Sequence, residues 1–386
     1  MMCLLYKIQG GNTVKLTSHE RIMRIFQNKE IDRPALKLWG ASLDKFLLHP
    51  AYRPVCELAA QKSDLFVAAS SPFDICCGSN AEHIVACEVI DTKDATWKDK
   101  HYTIHTPEGI LHEVERISTI GEPSYTTEHM IKGLDDFKKL LSINYEPFPF
   151  QAYEYFQKQS FLGDRGVVMM NVDHAGFALH RLIGSENLAY FSIDYRDELN
   201  ELLNIFSTRI REYVQTAIAA GITGPFQWVG PELFIPPLLS PQDFDDFVYK
   251  LDKPLCDDIH NAGGYVWVHC HGKVANFIER YIDMGVDILN PLEPSKNGDI
   301  VMESIIEKFS NRIGWEGNIE IQDIIQANPS QLKELIYSCV QAGNKSGRFI
   351  LCPSAGFMEY PFPSKHYIDN LSLYLEYGWK CVEQCL

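Results

Sequence analysis

Two hydrophobic patterns alternate along the chain. Short apolar or β-branched runs recur, each closing in Gly, Pro or polar residues. Each is followed by a longer segment whose apolar positions repeat every 3.6 residues, the pattern of βα units. Eight runs read as strands: Ala35–Trp39, Leu65–Ser70, Gly166–Asn171, Gly224–Trp228, Tyr265–His269, Asp287–Asn290, Arg312–Glu316 and Arg348–Cys352. Eight such units predict an α/β fold, a (β/α)₈ TIM barrel, as one domain over residues 1–386. Between the strands, Thr17 and Glu20 form a capping box for a helix reaching Asn28, and Asp194–Ala220 is long and periodic. Ser240–Pro241 opens a helix running to Asn261 before Gly263–Gly264, and Gly272–Met284 stops at Gly285. From His83 to Ile117 the rhythm breaks into residues that favour extended backbone, with Thr106–Pro107–Glu108–Gly109 as a turn. This predicts a β-hairpin insertion after the second strand, placed over one barrel mouth. No GxGxxG or GxxxxGK[ST] opens a helix after a strand, so the sequence offers no nucleotide-binding fingerprint of an open doubly wound sheet.

Composition narrows the function classes. With 46% hydrophobic residues the chain buries a large core, which excludes intrinsic disorder. Its 35 basic and 51 acidic residues sum to −16, a charge that repels phosphate backbones and anionic lipid, so neither nucleic acid nor membrane is an expected partner. No apolar run reaches the roughly 18 residues of a membrane span. Met1–Tyr6 is too short for the apolar centre of a secretory signal, and the expected location is the cytoplasm. Eleven cysteines, an odd number without a CxxC pair, read as reduced thiols, with Cys76–Cys77 as packing residues.

In a barrel of this kind reacting groups gather at the C-terminal ends of the strands, where the following loops converge. The sharpest feature there is Val268–His269–Cys270–His271–Gly272. Period-2 alternation puts His269 and His271 on one face, where they can offer two nitrogens to one Zn²⁺, with Cys352 or Glu293 as third ligand. Glu232, Glu293 and Glu320 each follow a strand in a turn-rich loop and are candidate bases or ligands; the alternative for each is a carboxylate favoured at a helix N-terminus. Asp173 and His174 offer a further acid–base pair, or a helix cap.

Taken in order, Tyr213–Ala217 leading to Ala220–Gly221, Leu239–Phe244, Ile259–His260 before Gly263–Gly264, and Phe349–Pro353 resemble the uroporphyrinogen decarboxylase superfamily over most of the chain. That family implies a (β/α)₈ barrel and includes corrinoid-dependent methyltransferases. Its decarboxylases carry an Arg-Gln-Ala-Gly-Arg element after the first strand to hold substrate carboxylates. Here that strand ends Leu38–Trp39–Gly40–Ala41–Ser42, and no arginine follows until Arg53. The methyltransferase branch carries His-x-Cys-Gly and a later cysteine after Ile-Leu-x-Pro-x, and the three bind zinc. In this chain His271 stands at the first cysteine and Ala355 at the second, with Cys352 three residues earlier. A site with fewer thiolates is the better Lewis acid for an oxygen or nitrogen leaving group. The resemblance therefore implies a zinc-dependent methyltransferase working with the corrinoid (cobalamin) of a partner protein on a methoxy- or methylamine-type substrate. His269, His271 and Cys352 or Glu293 would hold zinc, and Glu232 would position substrate or move a proton. The alternatives are tetrapyrrole decarboxylation and a non-catalytic small-molecule or metal-binding barrel.

Overall fold

The computed structural model describes residues 15–41, 49–360 and 362–385. The Met1–Tyr6 segment and Ser42 lie outside them. Eight parallel strands form one curled sheet: β1 Ala35–Leu36, β2 Leu65–Ala69, β7 Gly166–Asn171, β8 Pro225–Val229, β9 Tyr265–His269, β10 Ile288–Asn290, β11 Gly314–Ile319 and β12 Phe349–Pro353. Their spatial order is β1-β12-β11-β10-β9-β8-β7-β2, so neighbours in sequence are neighbours in space, as the TIM topology requires. β12 and β10 are buried throughout, and β9 in all but its first residue, the continuous burial of parallel strands covered on both faces.

At the seam between β1 and β2 the Asp64 backbone N–H donates to Leu36 O at 2.7 Å, while the Asp64 carboxylate accepts from Leu36 N at 2.9 Å. That carboxylate is also paired with Arg21 at 2.7 Å and Arg33 at 3.1 Å, and Arg21 binds Asp32 through Nε at 2.7 Å and Nη2 at 2.8 Å. All four side chains are buried, so the ions are viable only because each is paired. The same arginine anchors the helix Ser18–Phe26, whose Ile22, Ile25 and Phe26 meet Ala35, Val167, Met169, Trp267, Ile288 and Ile350. The N-terminal end of the barrel is thereby stoppered, and polar groups are left to its C-terminal end.

Several boundaries differ from the sequence reading. The helix over Asp194–Ala220 is observed at Arg196–Ala219, but a further helix, Ala175–Asp194, precedes it and bends where Gly184 adopts φ 75°. The helix expected from Gly272 begins only at Ile278, because Gly272 takes φ +85° and donates its N–H to Glu293. The insertion is larger than a hairpin. Four antiparallel strands, β3 Val85–Asp91, β4 Trp97–Thr106, β5 Gly109–Ser118 and β6 Tyr125–Glu128, form their own sheet, with the expected turn at the Thr106–Gly109 pair. Its exit segment docks on the helix after β7, through Ile131 N on Leu182 O and His129 Nδ1 on Arg181 O, both at 2.9 Å. Among the described residues every cysteine is a free thiol, and no helix is long and apolar enough to cross a membrane.

Candidate active site

Alternation along β9 sends Val266 and Val268 outward and turns Trp267 and His269 into the barrel, with His271 just past the strand end. The His269 and His271 rings stand edge-to-face with centroids 4.4 Å apart. Below them Trp39 stacks on His269 at 4.9 Å and on Trp267 at 5.4 Å.

Each imidazole is held through Nδ1. His269 Nδ1 meets Asn290 Oδ1 at 2.5 Å, and Asn290 Nδ2 donates to Glu316 Oε1 at 2.9 Å. Since a carboxylate only accepts, the amide must present its oxygen to His269, so Nδ1 carries the proton and Nε2 the lone pair. Burial, helped by the neighbouring His271, pushes His269 down to about 3, which keeps it neutral. His271 Nδ1 lies 2.7 Å from Glu293 Oε1, and Glu293 Oε2 accepts from Gly272 N at 2.7 Å. Burial works against the charged forms, but the pairing wins on both sides: His271 is raised and Glu293 lowered from their ordinary values. Glu320, which accepts from Asn297 Nδ2 at 2.9 Å, is raised by burial and by the adjoining Glu293 carboxylate.

Glu232 follows β8 in the turn Pro231–Phe234. Gly230 makes this turn possible: its φ is +115°, and a Cβ there would sit 2.5 Å from Phe177 Cβ. Glu232 Oε2 is buried without a hydrogen-bond partner. Burial raises this carboxyl, while His271 and His174 pull it the other way.

Other predicted residues are engaged elsewhere. Asp173 pairs with Arg181 at 2.8 Å and accepts from His174 N. His174 Nδ1 caps the following helix by accepting from Phe177 N at 3.1 Å, and its Nε2 lies 3.2 Å from Asp252. Cys352 is fully buried; its thiol lies against Glu316, and burial raises it well above the ordinary thiol range. Glu293 is spent on His271 and Gly272. Among the described residues no three His, Cys, Asp or Glu side chains form a ready metal cluster.

Sequence reasoning passed over Lys37, which sits inside the barrel with Nζ 2.7 Å from Glu316 Oε1. A lysine in the otherwise apolar run Ala35–Trp39 was the available signal. Glu113, on the inserted sheet, was also missed: burial and the neighbouring Glu115 push it up to about 7, opposed by Arg181. A cavity of about 320 Å³ between His19, Tyr155, Gly166 and Pro225 opens at the opposite, N-terminal end of the strands, away from these groups.

Residues 178–367 match the family model of uroporphyrinogen decarboxylase (URO-D). This region of the chain is uroporphyrinogen decarboxylase-like. Within solved structures it is similar to a methyltransferase from Methanosarcina mazei, with 14% identity, 94% of this chain and 98% of that chain covered, and a TM-score of 0.59. At this identity the likeness is one of fold. A 3-keto-D-glucoside 4-epimerase from E. coli is much less similar, with 12% identity, 63% and 93% coverage and a TM-score of 0.34. No curated protein matches the chain. The matched region runs from the helix after β7 through β12, so His269, His271, Glu232 and Glu293 all lie within the uroporphyrinogen decarboxylase match.

Proposed function

We propose that this protein transfers a methyl group between a methoxy- or methylamine-type substrate and the corrinoid of a partner protein, with zinc at the barrel mouth. The observation that carries the reading is the pair of imidazoles, each tied through Nδ1 to an acceptor, so that both Nε2 lone pairs are left for a ligand. The donors fit a divalent metal in chemistry: two imidazole nitrogens at the barrel mouth, with a proton donor in Glu232, whose buried Oε2 has no partner. His269 and His271 are the residues that would hold it. When bound, zinc polarises the oxygen or nitrogen that loses the methyl group.

The chain's own residues do the rest. Asn290 and Glu293 keep the imidazoles fixed in one tautomer. Trp39 covers the inner face of His269 and excludes water from it. As the bond from the methyl carbon breaks, its electron pair stays on the heteroatom. Glu232, raised by burial, gives that atom a proton. Tetrapyrrole decarboxylation finds less support, since the segment after β1 supplies no arginine and the charge of Lys37 is taken by Glu316.

The test is methylcobalamin formation from reduced cobalamin and a panel of methyl ethers and methylamines. Activity is expected with at least one donor, falling roughly a hundredfold or more in His271→Ala. Native protein grown with zinc is expected to hold about one zinc per chain, lost in His269→Ala. Full activity in His271→Ala, or no zinc in the native protein, would overturn the proposal.

A further inference from the structure

We propose that Lys37, acting through Glu316 and Asn290, is a positioning residue that sets the tautomer of His269. The inference rests on reading His269 as a metal-binding imidazole, and it explains why a charged network occupies the inside of the barrel. Lys37 is 6% exposed, and its ammonium is caged by the rings of Trp39 at 4.7 Å, Phe66 at 4.5 Å and Trp267 at 4.7 Å. Among the described residues its anionic partner is Glu316, which is fully buried and accepts on both oxygens: from Lys37 and Asn290 on Oε1, and from Trp267 Nε1 at 2.8 Å on Oε2.

Every link has a fixed polarity. An ammonium can only donate and a carboxylate can only accept, so Asn290 has to turn Nδ2 toward Glu316. A flipped amide would set Oδ1 against the carboxylate and leave both acceptors unsatisfied in a buried site. Oδ1 therefore faces His269 and demands a proton on Nδ1, which leaves the Nε2 lone pair at the mouth. The cation completes the arrangement, because a buried carboxylate without a counter-charge is strongly destabilised. Apolar residues of similar volume would serve packing as well. What they would not do is orient an amide, and the last group oriented is the imidazole of the site.

The experiment reads the tautomer directly, by two-bond ¹H–¹⁵N correlation of imidazole-labelled, metal-free protein, alongside zinc affinity by competition. The native protein should show the Nδ1–H tautomer at His269. Glu316→Leu removes the acceptor that Lys37 and Asn290 share on Oε1, so nothing fixes the Asn290 amide, and Lys37→Met leaves Glu316 without its cation. Each should move His269 toward Nε2–H and weaken zinc binding at least about tenfold. The double variant Asn290→Asp/Glu316→Leu moves the carboxylate one link along the relay while keeping the total charge. The carboxylate introduced on β10 can only accept, so it takes the Nδ1 proton of His269 and the native tautomer should return. A merely structural role would not produce this rescue. If the single variants fail to fold, the double variant carries the test. An Nε2–H tautomer in the native protein or in the double variant, or native tautomer and zinc affinity in both single variants, would overturn the proposal. A tautomer shift in the single variants of a protein that never binds zinc would instead sink the metal reading and leave the relay standing.

Discussion

Replacing Glu293 by Gln keeps the side-chain volume and removes one of two acceptors. The native carboxylate receives the His271 Nδ1 proton at 2.7 Å and the Gly272 N–H at 2.7 Å. The amide has one oxygen for two donors. If it turns toward Gly272, its NH₂ faces His271 and forces the imidazole to accept on Nδ1, which moves the proton to Nε2 and removes the lone pair from the mouth. If it turns toward His271, a backbone donor at the tight Gly272 turn goes unpaired. A hydrogen bond to a charged group contributes roughly 1.5–3 kcal/mol. With the His271 side chain 38% exposed, solvent screening favours the lower end. At about 1.4 kcal/mol per decade, zinc affinity should fall roughly tenfold, and at most about a hundredfold. The same change removes the anion that raises His271, so the His271 titration should move down. The stabilising effect of the pair has a defined pH window. Glu293 is lowered from 4.5, so its contribution is complete above that value and lost as pH falls through the folded value. His271 is raised from 6.5, so its contribution is complete below that value and lost as pH rises through the folded one. Native and variant stabilities should therefore differ most between pH 4.5 and 6.5. Zinc competition, imidazole NMR titration and urea unfolding at several pH values read all three effects. A variant with unchanged zinc affinity and an unmoved or higher His271 titration would refute the role given to Glu293.

Asp64→Asn should destabilise the protein by roughly 3–5 kcal/mol in urea unfolding, because it leaves Arg21 and Arg33 buried around a neutral amide at the β1–β2 seam; a loss under about 1 kcal/mol would show that the seam does not depend on that ion cluster. Gly230→Ala should cost roughly 1–3 kcal/mol and depress methyl transfer by displacing Glu232, since φ is +115° and the new Cβ meets Phe177; thermal unfolding and turnover together check this. Glu232→Gln should lower turnover less than His271→Ala, and equal losses would give Glu232 a larger part than proton delivery. Uroporphyrinogen III should not be decarboxylated, and coproporphyrinogen appearing at a useful rate would reverse the preference for methyl transfer.

Periodicity alone determined the architecture. A parallel strand is buried on both faces and a crossover helix on one, so each leaves its own repeat in the sequence, and the eight runs from Ala35 to Cys352 fall on eight strands of one sheet. The His269–His271 pair was legible for the same reason, since residues two apart on a strand share a face. Partners distant in sequence were not legible. Cys352 belongs to the Glu316 network and Asp173 to Arg181 because neighbouring strands and helices bring those charges first, and spacing along one strand carries no record of which charge arrives. Lys37 read as an irregularity in an apolar strand. Only closure of the barrel, which sets β1 beside β12 and β11 beside β10, brings its ammonium to Glu316 and so to Asn290 and His269. A buried charge is tolerated where its counter-ion is fixed, and the position of that counter-ion is a property of the tertiary structure.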